Sequence, residues 1–198
     1  MHMPQLVAAT RTVRRFQQNR ALTERVLHGL IDLARLSGSA RNAQVLQYMP
    51  VLEPALCERI FHNLTWAGYL TAWSGPEPGE RPPGYIICLA NRDWQKGPDT
   101  ELYCDVGIAS QSMLLAAAEK GVFGCRIGAF KPTLHAQLQL EERHRIFLVL
   151  ALGYPAEEVV LEDVGAEGDI RYWRDEERVH HVPKRSLQDV MLPPPTVF

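Results

Sequence analysis

Hydrophobic positions along this chain fall into two alternating patterns, and each predicts an element. Between Leu22 and Leu36 the apolar residues Leu22, Val26, Leu27, Leu30, Ile31, Leu33 and Ala34 recur at helical spacing. Thr23 is positioned to cap this helix at its start and Gly38 to stop it. Residues 47–52 have the makeup of a short strand, and Pro54 opens a helix running to about Asn63. The unbroken apolar run at 84–91 (GYIICLAN) reads as a buried strand. The longest element is a helix from Asp99, taken as its N-cap, to Gly121, with Leu102, Val106, Ala109, Met113, Leu114 and Ala117 in one stripe. Two more strands follow, one in GVFGCRIGAF (121–130) and one, apolar on both faces, in RIFLVLALG (145–153). Helices and strands alternate irregularly, so the pattern predicts an α+β fold over a doubly wound sheet.

The small residues of the long helix, Gly107, Ala109, Ser110, Ala116 and Ala117, permit close approach by another helix, either in the core or from a second subunit. Trp66, Tyr69 and Trp73 are spaced three and four apart and would share one face of a helix. They are candidates to stack on a planar substrate, against the plainer role of packing the core or an interface.

Composition narrows the function. With 198 residues, 46% of them hydrophobic, the chain can bury roughly 70% of its unfolded surface, and one domain over 1–198 is expected. The Pro/Gly-rich stretch at 74–84 reads as a loop and the Pro-rich segment 192–198 as an extended tail. Lys and Arg number 21 against 23 Asp and Glu, a net charge of −2, which offers no general attraction to nucleic acid or an anionic membrane. There is no apolar run of membrane-spanning length and no signal-peptide pattern at the start, so a cytoplasmic location is expected. Cys57, Cys88, Cys104 and Cys125 have no metal-like spacing and are expected to be reduced and buried. The adjacent His180 and His181 would point to opposite faces of a strand and make a poor chelate, so no metal is expected. Neither a Gly-x-Gly-x-x-Gly nor a Walker motif occurs.

The basic residues are clustered instead. RTVRRF (11–16) carries three arginines and a threonine, and Lys184–Arg185 lies near the other end. Forked guanidinium donors and a hydroxyl suit a phosphate dianion. This opening resembles that of the nitroreductase family, usually Arg-Arg-Ser-x-Arg-x-Phe/Tyr. SGSARNAQ (37–44) resembles the family's second block, DVGIASQSMLLAAAEKGVFGCRIGAF (105–130) its central helix and following strand, and LVLALGYPAE (148–157) and HHVPKRSL (180–187) its last two. All five occur in family order.

The resemblance implies an α+β homodimer with a central mixed, mostly antiparallel sheet flanked by helices, binding flavin mononucleotide (FMN). Arg11 and Thr12 would hold the phosphate together with Lys184 and Arg185, and Arg14 would lie near the pyrimidine edge of the ring. Ser39, Ala40, Asn42 and Gln44 would reach the ribityl chain and ring edge from the opposite subunit. Ile127, Gly128 and Ala129 would face the flavin with their backbone. Arg15 has no counterpart and reads as a solvated charge, and Phe16 as core. Val45, Leu46 and Ser112 depart from the family pattern. The implied reaction passes hydride from NADH or NADPH to FMN and on to a nitroaromatic, quinone or activated alkene, with no essential protein acid or base. The alternatives are dehalogenation or flavin fragmentation on the same fold, or flavin binding without turnover.

Overall fold

The computed structural model describes residues 1–195; the last three residues of the Pro-rich tail expected at 192–198 lie outside the described residues. Four antiparallel strands form the main sheet in the order β1 (Leu46–Val51), β2 (Gly84–Asn91), β4 (His144–Gly153), β3 (Phe123–Ile127). All eight residues of β2 are buried, because the sheet is covered on both faces. Alternate side chains go to different cores, as the two-residue period of a strand requires. Tyr85, Ile87 and Leu89 join Val149 and Ala151 in one cluster, whereas Ile86 and Cys88 join Leu150 and Leu152 in the other.

The second cluster is closed by helices α2 (Glu24–Leu36) and α4 (Asp99–Glu119), which pack on each other. The Thr23 hydroxyl accepts from the Val26 amide, the cap expected from the sequence. Leu27, Leu30 and Ala34 form the buried stripe of α2, and Leu102, Val106, Ala109, Met113 and Ala117 that of α4. Asp99 is not the N-cap of α4. That place belongs to Pro98, and the Asp99 carboxylate bonds the guanidiniums of Arg92 and Arg145, which hold it well below the usual carboxylate range. The opposite face of the sheet is covered by α3 (Pro54–Phe61), α5 (Thr133–Gln137) and the segment around Trp66. The short α1 (Met3–Ala9) packs against α4.

The small residues of α4 divide between the two readings offered by the sequence. Ala109, Ser110 and Ala117 are buried against this chain's own core, while Gly107 is exposed beside Tyr103, Cys104 and Ile108. Cys104 thus departs from the expectation of buried thiols; burial pushes the other three up, Cys57 and Cys88 to about 12 and Cys125 to about 11.

Of a second, three-stranded sheet the sequence reading held only the strand of His180 and His181. In it β7 (His180–Lys184) runs parallel to β5 (Val159–Asp163) and antiparallel to β6 (Trp173–Arg174), and α6 (Leu187–Val190) follows. These strands are short, half exposed and rich in charge, so they lack the apolar run that announced β2 and β4. Parallel pairing is found here and where Thr12 bridges Gly124; the main sheet is wholly antiparallel. Residues 62–74 form turns and not the helix expected there, so Trp66, Tyr69 and Trp73 do not share a helical face.

Candidate functional site

The arginine-rich segment is laid in extended form across the ends of β3 and β4. The Val13 amide donates to the Gly124 carbonyl, and Gln17 and Ala156 exchange bonds with Tyr154 and Arg15. Gly124 is itself packed tightly against the neighbouring strand: a Cβ there would stand 2.7 Å from the Ala151 carbonyl oxygen and 2.8 Å from Leu152. Phe16 is fully buried, as expected.

Along this strip the arginines have different surroundings. Arg11 reaches along the surface, where Nη2 donates to the Val7 carbonyl at 2.6 Å and Nε is buried without a partner. Arg126 on β3 donates from Nε to the Ser110 hydroxyl at 2.8 Å and from Nη2 to Oε1 of Gln111 at 2.7 Å. Neither guanidinium is paired with a carboxylate among the described residues. Burial lowers the pKa of both, and Arg11 lowers that of Arg126 further. Two cations without a paired carboxylate favour an anion.

Arg126 borders a groove of about 600 Å³ between β3 and the exposed face of α4, whose walls include Gly107, Ser110, Gly128, Phe130 and Phe147. Gly128 is exposed and nothing lies within 4 Å of where its Cβ would be, so the backbone is open to a flat ligand. Ile127 is buried beneath it, and the Ala129 carbonyl accepts from Thr65.

Arg14, expected near a ring edge, and Arg15, expected in solvent, are both buried. Their amides donate to Oε1 of Glu157, whose other oxygen accepts from Arg174 at 2.9 Å. Arg14 Nη1 lies 3.1 Å from Nε2 of His180, and its guanidinium sits over the Tyr172 ring. Arg15 pairs with Glu80 at 3.2 Å, and Arg15 and Arg174 both approach the ring of Trp73. Burial and the surrounding arginines push His180 down to about 4, so it is the neutral partner of Arg14. His181, on the opposite face of β7, lies between Glu162 and Asp175, and the bond to Asp175 above all raises its pKa. No cluster able to hold a metal ion occurs among the described residues.

Lys184 and Arg185 are exposed at the end of β7, and no hydrogen bond or ion pair joins either to Arg11 or Thr12. Ser39, Ala40, Asn42 and Gln44 lie in the loop after α2, around a short 3₁₀ turn (Ala40–Asn42). Arg41, Asn42 and Gln44 there have φ of 52, 53 and 49°, a strained region for side-chain-bearing residues. The Ala40 amide donates to Asp105 Oδ1 at 2.8 Å, and the Gln44 amide donates to the Ser39 hydroxyl. This loop and Gly128 open into different cavities on either side of α4.

The three aromatic candidates are separated. Trp66 is buried against Phe61, Tyr69 is 55% exposed and packs at a tilt against Tyr172, and Trp73 lies between arginines. Core packing therefore accounts for Trp66. Sequence reasoning missed Arg126, Glu157 and Arg174. The signal for Arg126 was present: it is the one charged residue in the strand FGCRI.

A model of the family described as "Nitroreductase family" matches residues 7–154. Among solved structures the chain is similar to a protein from Desulfovibrio desulfuricans described as a nitroreductase in complex with FMN. The TM-score is 0.70 at 18% identity, covering 100% of this chain and 99% of that one. A nitroreductase family protein from Clostridium novyi gives a TM-score of 0.66 at 20% identity, over 97% of this chain and 100% of that one. An FMN-dependent nitroreductase from Clostridium difficile gives 0.62 at 17%, over 79% and 89%.

Proposed function

The chain belongs to the nitroreductase family, and from that premise we propose that it is an FMN-dependent oxidoreductase. In this reading it takes hydride from NADH or NADPH and reduces a nitroaromatic, quinone or activated alkene. The observation that carries the reading is Arg126, a guanidinium without a carboxylate partner that lines a groove floored by the open backbone of Gly128, with Arg11, likewise without a carboxylate partner, on the segment that bridges to β3 at Thr12.

The groove fits the group. Arg11, Arg126 and the Thr12 hydroxyl would hold the phosphate, with Lys184 and Arg185 adding charge from the C-terminal segment. Ile127, Gly128 and Ala129 would present backbone to the ring. When bound, FMN supplies the hydride-accepting and electron-donating chemistry. What this chain does is bind and orient: the β3 backbone keeps side chains off one ring face, and the cation pair favours negative charge. Arg14 is held behind β3 by His180 and Tyr172, where a positive charge would act through a short distance of protein. Trp66, Tyr69 and Trp73 are not assigned to substrate.

We also propose a homodimer. Ser39 and Gln44 line one cavity and Gly128 another. A two-fold partner would let the loop of one chain complete the groove of the other. Exposed Tyr103 and Ile108 on α4 supply apolar surface for that contact.

The test is direct. The purified protein should be yellow, release FMN, bleach anaerobically with NADH or NADPH, and reoxidise with a nitroarene or quinone. A protein that stays colourless after incubation with FMN would remove the proposal. Bound FMN that neither nicotinamide bleaches would leave a binding module without turnover.

A further inference from the structure

The groove beside β3 carries a second cation to which binding of FMN assigns no role. Arg145 on β4 lines it, as Arg126 does, and no carboxylate is among the residues of its walls. The Arg145 guanidinium lies over the ring of Phe147, 4.7 Å from the centroid, and its Nη1 donates to Oδ2 of Asp99. That carboxylate is shared: Arg92 donates to Oδ1 at 2.8 Å, so two guanidiniums meet one negative charge. Among the described residues Nε and Nη2 of Arg145 make no hydrogen bond, and its side chain is 43% exposed, within reach of a ligand in the groove.

The two arginines of the groove are anchored far apart. Arg126 bonds Ser110, whereas Arg145 bonds Asp99 at the start of the same helix, which places the anchors about 16 Å apart along the axis of α4. A phosphate held at Arg126 therefore leaves Arg145 free. Between them the groove presents Phe130, Ile146, Phe147 and the open backbone of Gly128. Apolar walls with a fixed cation at either end suit a flat molecule that carries negative charge at its edge.

We propose that the acceptor reduced in this groove is an aromatic acid, with Arg145 pairing its carboxylate and the apolar wall holding its ring; this rests on the proposed FMN-dependent activity. Nε and Nη2 form one fork of the guanidinium, which takes a carboxylate through two parallel N–H bonds. A neutral amide gives up the charge and an ammonium meets a like one, so charge at the far edge of the ring sets the preference. For a nitroaromatic acid the exchange balances with one nicotinamide hydride and one proton per nitro group. One N–O bond breaks, the nitro group becomes nitroso, the oxygen leaves as water and the nicotinamide is oxidised.

Benzoate, benzamide and benzylamine serve as non-reducible probes of the protein as purified, titrated by NMR with the flavin spectrum and flavin content recorded in parallel. Benzoate should bind saturably, shift the Arg145 Nε and Phe147 signals and perturb the flavin absorption. Benzamide should bind about tenfold more weakly and benzylamine not at all. In turnover, para-nitrobenzoate should show a KM about tenfold below that of para-nitrobenzamide, and Arg145→Gln should bring the two within about twofold while FMN stays bound. Should that variant fail to fold, Asp99→Asn, which removes the charge competing for Arg145, should tighten benzoate several-fold. Equal binding of benzoate and benzylamine would overturn the proposal. So would an undiminished preference in Arg145→Gln, looser benzoate binding in Asp99→Asn, or release of FMN by benzoate, which would put the anion at Arg126. A protein that takes up no FMN overturns this inference together with the activity beneath it. One that nicotinamide bleaches, and that shows no preference for the acid, overturns this inference alone.

Discussion

Two regions of the same short segment put identical side chains to opposite uses. Arg14 and Arg15 are buried in a nest: Arg15 pairs with Glu80, the Arg14 guanidinium lies against neutral His180 and the Tyr172 ring, and Glu157 accepts from both backbone amides and from Arg174, while Nε of Arg14 and of Arg174 has no hydrogen-bond partner. Arg11, three residues earlier, and Arg126 form no ion pair with a carboxylate among the described residues. A compensated guanidinium ties structure together, whereas an uncompensated pair is held ready for an anion. Surroundings, more than residue type, therefore separate the buried arginines of this chain from those proposed to meet a ligand.

The largest break in that comparison should come from Glu157, whose side chain is only 1% exposed. Glu157→Ala leaves Arg174 and two amides without their acceptor and is expected to cost about 3–5 kcal/mol, read from denaturant unfolding. A loss under 1 kcal/mol would mean that the nest is not held by this carboxylate.

His180 gives the next effect. It is pushed down to about 4 in the fold against 6.5 in the open chain, so the unfolded state takes up its proton first as pH falls. Its contribution is complete above pH 6.5 and is lost between there and pH 4, by up to roughly 3 kcal/mol. Unfolding measured across that range should show the slope, and His180→Gln should flatten it. An unchanged slope would place the titration elsewhere.

At the uncompensated pair the effect should fall on ligand and not on fold. Arg11→Ala and Arg126→Ala should each weaken FMN at least tenfold, about 1.4 kcal/mol, with thermal unfolding of the apoprotein little changed. Arg15→Ala should do the reverse. Flavin occupancy that survives both Arg11→Ala and Arg126→Ala would erase the distinction drawn here. The smallest change sharpens it further: Arg178 pairs with Glu80 at 2.6 Å but is 58% exposed, so Arg178→Ala should shift stability by less than about 1 kcal/mol.

Much of the fold was legible before any coordinates. The spans of α2, β2 and β4 follow from their apolar positions because each buries a stripe or a whole strand against the two cores, and Pro54 marks the start of α3, which ends at Phe61, short of the expected Asn63. The helix expected around Trp66 failed because three aromatics at helical spacing can each find separate partners: Phe61 for one, Tyr172 for the next, two arginines for the third. In the small sheet β5 and β6 were missed because its strands pair at the surface, where alternation of charge and apolarity carries little signal. Thr12, Gly128 and the 39–44 loop were picked out by resemblance to a family, which placed them in order without distances.

By itself the sequence determined the elements of the main sheet, the two helices that cover it, and the membership of the arginine strip in a recognisable series of blocks. Those depend on local spacing, and spacing is written in the chain. Only the tertiary structure decided which arginines are neutralised. Glu80 lies far along the chain from Arg15, and Arg126 far from Arg11, so no local pattern records either neighbourhood. Electrostatic energy depends on distance and burial in space, and both are set only once the strands and helices have packed.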